Sequence, residues 1–155
     1  MWETCLSPAL FCVLVTLAHT QNITAISDES MVRACEMAPV LLKYAKAYEA
    51  DPVLLHAIIA KESGWEESAV SRGGACGLMQ VIPRFVPYSC AQLQDPIIGM
   101  RAGLDVWTYW KGVARGDKKT ALACYNVGNG CNSVPRAAGY SHHVMSMYDR
   151  MKRLI

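Results

Sequence analysis

Almost no charge of either sign is left over in this chain of 155 residues, where 15 Lys and Arg stand against 13 Asp and Glu. So small a surplus excludes the electrostatic footprint of a nucleic-acid binder, and the densest basic groups, Lys118-Lys119 and Arg150 to Arg153, read as solvated helix faces. Metal-ligand spacing is missing as well. There is no Cys-x-x-Cys and no His-Glu-x-x-His, only the adjacent pair His142-His143, so neither a metal nor a cofactor is expected. Repeats and low-complexity tracts are absent, which excludes a solenoid or a long disordered linker. The apolar stretch Leu6 to Ala18 falls short of the roughly 20 residues that a bilayer-spanning helix needs. The length allows one hydrophobic core and hardly two, so a single domain is expected.

That short apolar stretch has the length of the central region of an export signal, and His19, Thr20 and Gln21 follow it. The reading therefore divides the chain into a signal peptide over 1–20, cleaved after Ala18 or Thr20, and one domain over 21–155. Against it stand the first five residues, Met1-Trp2-Glu3-Thr4-Cys5, which carry an acid and no Lys or Arg. An uncleaved membrane tether is the alternative. Of the seven cysteines, Cys5 and Cys12 would leave with the signal, and Cys35, Cys76, Cys90, Cys124 and Cys131 would remain. Two disulfides and a free thiol would then suit an oxidising compartment, with Cys124 and Cys131 placed to close a loop.

Helix signals dominate the rest. The spacing predicts a helix over Met31 to Tyr48, another opened by Asp51-Pro52, a third from Asp95-Pro96 to about Gly112 or Gly116, a fourth from Asp117 to Tyr125, and a last one capped by Ser141. Between Gly64 and Pro87 the glycines and prolines predict loop with a short β element or a bent helical turn. Glu62 falls in the last turn of the second helix, just before Gly64. Leu55, Ile58, Ile59 and Glu62 share the i, i+3, i+4, i+7 stripe, which aims the acid inward. Desolvation and the negative end of the helix dipole both disfavour its ionised form, as a general acid requires.

Three blocks follow in order: Glu62-Ser63-Gly64-Trp65, then Gly74-Ala75-Cys76-Gly77-Leu78-Met79-Gln80 to Pro83, then Ala121-Leu122-Ala123-Cys124-Tyr125-Asn126 to Gly130. With Asp51-Pro52, the Asp95-Pro96 helix containing Gly103, and a closing Gly139-Tyr140, Val144 and Tyr148, they closely resemble the soluble lytic transglycosylases of the lysozyme superfamily. The likeness runs from about Leu41 to Tyr148. It implies an α+β, predominantly helical, lysozyme-like fold with a cleft between a helical lobe and a smaller one. Glu67 replaces a proline common in that family, and Gly99 an asparagine; neither touches the proposed acid.

The resemblance also implies a reaction. A lone glutamate, here Glu62, protonates the β-1,4 bond between N-acetylmuramic acid and N-acetylglucosamine of peptidoglycan. The same residue then acts as a base, helping the muramyl 6-hydroxyl attack C1, so a 1,6-anhydro end forms without water. Tyr125 is expected to hydrogen-bond the carboxyl of Glu62. Gln80, Asn126, Ser71 and Met79 make up the expected substrate-binding set, although Met79 also suits a core and Ser71 a turn. Trp65 reads as core. Partners implied are peptidoglycan strands and, by analogy with small dedicated wall-opening enzymes, a secretion, conjugation or phage machinery, with the protein periplasmic or secreted and monomeric. A goose-type hydrolytic muramidase and a non-catalytic peptidoglycan-binding assembly protein are the alternatives.

Overall fold

Prolines and capping side chains open most helices of the protein, whose computed structural model describes residues 6–155. In chain order these are α1 (Pro8–Thr20), α2 (Asp28–Glu36), α3 (Ala38–Ala47), α4 (Pro52–Ser63), α5 (Cys90–Leu93), α6 (Pro96–Val113), α7 (Lys118–Val127) and α8 (Pro135–Lys152). Ser7, Ser27, Asp51, Ser89, Asp95 and Asp117 each accept a hydrogen bond from a first-turn backbone N–H, which supplies partners the helix itself lacks.

α4 is the axis of the domain. Every residue from Pro52 to Ala60 is buried, so the stripe read from its sequence understates the burial. α3 and α8 pack against α4, α7 lies between α6 and α8, and α1 with α2 closes the side carrying α3. The single helix expected over Met31 to Tyr48 is two. Pro39 has no N–H to donate and its ring crowds the preceding turn, so α2 stops at Glu36 and α3 begins at Ala38. The last helix begins at Pro135, six residues before the expected cap. Ser141 is interior to it and donates instead to the carbonyl of Lys119.

From Gly64 to Pro87 the chain is irregular, as its glycines and prolines predict. Its β content is a pair of antiparallel bridges, Val70 with Cys76 and Cys76 with Val81, followed by a 3-10 turn over Pro83–Phe85. Among the described residues three disulfides fasten the chain: Cys12–Cys35, Cys76–Cys90 and Cys124–Cys131. The last is the expected one. The expectation of two bridges and a free thiol among the five later cysteines is corrected, because Cys12 supplies the partner of Cys35. Phe11, Leu14, Val15 and Ala18 of α1 lie in the main core, and Phe11 sets its ring edge-on to His56 of α4 at 5.8 Å. Cys5 and the other four residues at the start, on which part of the signal reading rests, lie outside the described residues.

Candidate active site

The end of α4, just past Glu62, is held from three directions. Gly64 adopts a left-handed conformation, φ 58°, and its N–H closes on the carbonyl of Ala60. Ser63 donates to the carbonyl of Leu78 at 2.7 Å, which fixes the helix end to the following loop. Trp65, at φ 64° and fully buried, donates its indole N–H to Nδ1 of His56 at 3.0 Å, while its carbonyl accepts from Arg33. Burial holds His56 at about 4, so the ring is neutral and serves as an acceptor inside the core.

Glu62 therefore has a fixed base to stand on. Burial raises its carboxyl from 4.5 to about 7, against smaller lowering effects from the Tyr140 phenol and from the charge of Lys61. Among the described residues no second carboxylate figures in the groups that act on it. The Tyr140 phenol is buried with no hydrogen-bond partner within 3.5 Å, so its hold on Glu62 acts across a longer, weaker gap. Burial and the nearby Glu62 charge raise both Tyr125 and Tyr140 well above the usual phenol range, keeping both as proton donors.

The structure gives Tyr125 a different partner from the one expected. Its hydroxyl donates to the backbone carbonyl of Met79 at 2.6 Å, and its ring meets Trp107 edge-on at 6.3 Å. Tyr140 is thus the tyrosine whose phenol acts on the carboxyl, from beyond hydrogen-bond distance. The sequence carried that signal only as Gly139-Tyr140 near the end of the ordered match. Lys61 was likewise missed, although it directly precedes the acid.

Met79 is fully buried, and its seat depends on Gly103, where any Cβ would lie 2.3 Å from the Met79 sulfur. Gln80 stands at φ 53° and donates its amide to the carbonyls of Ala69 at 3.1 Å and Gly77 at 3.0 Å. Both of its N–H groups are thereby used inside the loop, leaving the amide oxygen for other partners. Ser71 is exposed and accepts from the N–H of Ala75 at 3.0 Å, the geometry of a turn. Asn126 is exposed in the last turn of α7, near Cys124 and its disulfide. The geometry accordingly gathers Glu62, Tyr140, Tyr125 and the Met79 carbonyl into one group. Gln80 and Ser71 shape the loop beside it. Among the described residues no three His, Cys, Asp or Glu side chains cluster as metal ligands would.

Residues 39–145 match the family described as the Transglycosylase SLT domain. Relatives include a protein named membrane-bound lytic murein transglycosylase C from Haemophilus ducreyi, 40% identical over 63 residues, which are 41% of this chain and 17% of that protein. Another, named endo-type membrane-bound lytic murein transglycosylase A, from Klebsiella pneumoniae, is 47% identical over 51 residues, 33% of this chain and 25% of that one. The chain thus spans a quarter or less of the length of these relatives. Among solved structures, the lytic transglycosylase Slt of Pseudomonas aeruginosa superposes with a TM-score of 0.67 at 19% identity, covering 98% of this chain and 31% of that one. The 70 kDa soluble lytic transglycosylase of Escherichia coli gives 0.68 at 18% identity, over 96% and 31%. At such identities the likeness establishes the fold, which is the lysozyme-like one.

Proposed function

Because the chain belongs to the SLT transglycosylase domain family, we propose that it cuts peptidoglycan between N-acetylmuramic acid and N-acetylglucosamine, leaving 1,6-anhydromuramic ends. One observation carries the reading: a single carboxyl, shielded enough to sit at about 7, with no second acid among the described residues acting on it. A two-carboxylate glycosidase needs the second acid as nucleophile or to activate water. Glu62, protonated, gives its proton to the glycosidic oxygen as the C1–O bond breaks. Negative charge then appears on the carboxylate, and the Tyr140 phenol and Lys61 stabilise it there. Glu62 next takes the proton of the muramyl 6-hydroxyl as that oxygen bonds C1, returning to its starting state. Tyr125 anchors the Met79 turn on α7, while Asn126 and the Gln80 amide oxygen are placed to meet sugar hydroxyl and amide groups. Mass spectrometry of muropeptides from digested sacculi tests the reaction. Anhydro ends support it, reducing ends would make the protein a hydrolase, and no release would make it a binder.

Tyr140→Phe removes the phenol that lowers Glu62 and leaves burial unopposed by it. The carboxyl rises further, so the high-pH limb of the rate profile, where the acid loses its proton, moves to higher pH. The maximal rate falls by about tenfold, the scale of one weak hydrogen bond to a charged group. Thermal stability changes little, since the phenol has no other partner. A limb that stays where it was removes Tyr140 from the site.

The protein works outside the cytoplasm in this reading, serving local wall remodelling or a wall-penetrating machinery. Three disulfides support an oxidising compartment. The buried side of α1 and the Cys12–Cys35 bridge favour the uncleaved alternative, in which the apolar segment stays with the domain over 21–155 after export. N-terminal sequencing of exported protein from its native host should accordingly read a start ahead of Ser7. A start at His19 or Gln21 would restore a cleaved signal.

A further inference from the structure

At the end of the domain remote from Glu62, around the start of α4, lies a groove of about 690 Å³. Leu54 and Trp107 floor it, and Lys43, Lys46, Lys111 and Lys118 line it. Two acids reach the same groove. Asp51 is already engaged, capping Val53 and holding Tyr148 and Lys152. Glu49 alone remains against four lysines, none of them in an ion pair among the described residues. The groove is therefore cationic with an apolar floor.

Beside it runs an unpartnered apolar stripe. Leu10, Val13 and Leu17 stand at i, i+3 and i+7 on α1, with 57%, 54% and 38% of their surface exposed. From Leu6 to Gln21 the chain has no Asp, Glu, Lys or Arg to oppose burial of that face. Leu6 is itself part of the groove wall and lies only four residues before Leu10, so stripe and groove adjoin.

We propose that this face docks on an anionic phospholipid surface, with the stripe entering the headgroup–acyl boundary and the lysines meeting lipid phosphates. Positive charge beside an uncharged apolar helix is the chemistry an anionic bilayer surface recognises. Among the described residues no helix is long and apolar enough to cross a membrane, so the contact is interfacial. α4, at 12 residues, is about 18 Å long, and docking its N-terminal end would turn Glu62 away from the lipid. The inference rests on α1 staying with the domain and not on the catalytic reading.

The test is co-sedimentation of the full chain with vesicles of equimolar phosphatidylglycerol and phosphatidylethanolamine, against vesicles of phosphatidylcholine alone. Binding is expected to the first and not the second, with release as salt is added. The pairs Leu10→Glu with Val13→Glu, and Lys43→Glu with Lys46→Glu, should each weaken binding by about tenfold or more. All four positions are at or near the surface, so melting temperature should hold. Four results would overturn the proposal: no binding to the anionic vesicles, equal binding to both kinds, unaltered binding by the variants, or a native mature protein lacking α1. A dimer in solution that Val13→Glu dissociates would assign the stripe to a second copy instead.

Discussion

Glu62→Gln is expected to lower turnover on purified sacculi by about 10²- to 10⁴-fold, the range that positioned general acids contribute. The amide matches the carboxyl in size and can occupy the same pocket, but it has no proton to give to a leaving oxygen. Glycan binding should persist. The same substitution should raise stability, and the sign follows from linkage. Glu62 is held at about 7 in the folded chain against an ordinary value of 4.5. A carboxyl raised by folding leaves stability intact below its unfolded value and erodes it as pH climbs through the folded one. Above pH 7 the native protein carries a buried charge, at a cost of up to about 3 kcal/mol. The amide carries none. Melting curves should therefore coincide near pH 4 and separate above pH 7, with Glu62→Gln the more stable. Residual turnover within tenfold of the native protein would end the assignment of Glu62, and coincident melting at every pH would show that its carboxyl is not buried as described.

The largest expected loss of stability comes from Gly77→Ala. Gly77 adopts φ 81°, where a Cβ is strained, and that Cβ would lie 2.1 Å from the carbonyl oxygen of Leu93 at the end of α5. The neighbour is backbone and cannot turn aside. Strain at positive φ together with overpacking amounts to about 2–4 kcal/mol, or a fall of roughly 5–15 °C in melting temperature for a domain of this size. Activity should fall too, because the Gly77 carbonyl accepts from Gln80 and its N–H donates to Ala69 within the loop beside Glu62. Gly74→Ala is the control. That glycine has a similar φ of 84° with nothing within 4 Å of a Cβ, so only the strain of about 1 kcal/mol applies. Equal losses for the two variants would show that the approach of Leu93 does not matter.

Local signals in the sequence found what local chemistry determines. Asp51-Pro52 and Asp95-Pro96 marked helix starts correctly because capping and proline geometry act within one turn. Gly64 marked the stop after Glu62 for the same reason. What escaped is decided across the chain. Pro39 splits a helix that periodicity alone joins, and Pro135 starts one that Ser141 seemed to cap, since a serine can serve a distant carbonyl as well as its own helix. The partner of Tyr125 depended on where the Met79 carbonyl would point, 46 residues away. Tyr140 reaches Glu62 only because α8 packs along α4, a contact between positions 78 apart that no spacing rule detects.

Among the described residues three disulfides join six cysteines in the order in which they occur: 12 with 35, 76 with 90, 124 with 131. Those six cysteines permit 15 pairings, and theirs is the one in which every bridge closes between neighbours along the described chain. A chain threaded N-terminus first into an oxidising space would present them in that sequence. Each of these three bridges can then close before the following pair leaves the translocation channel.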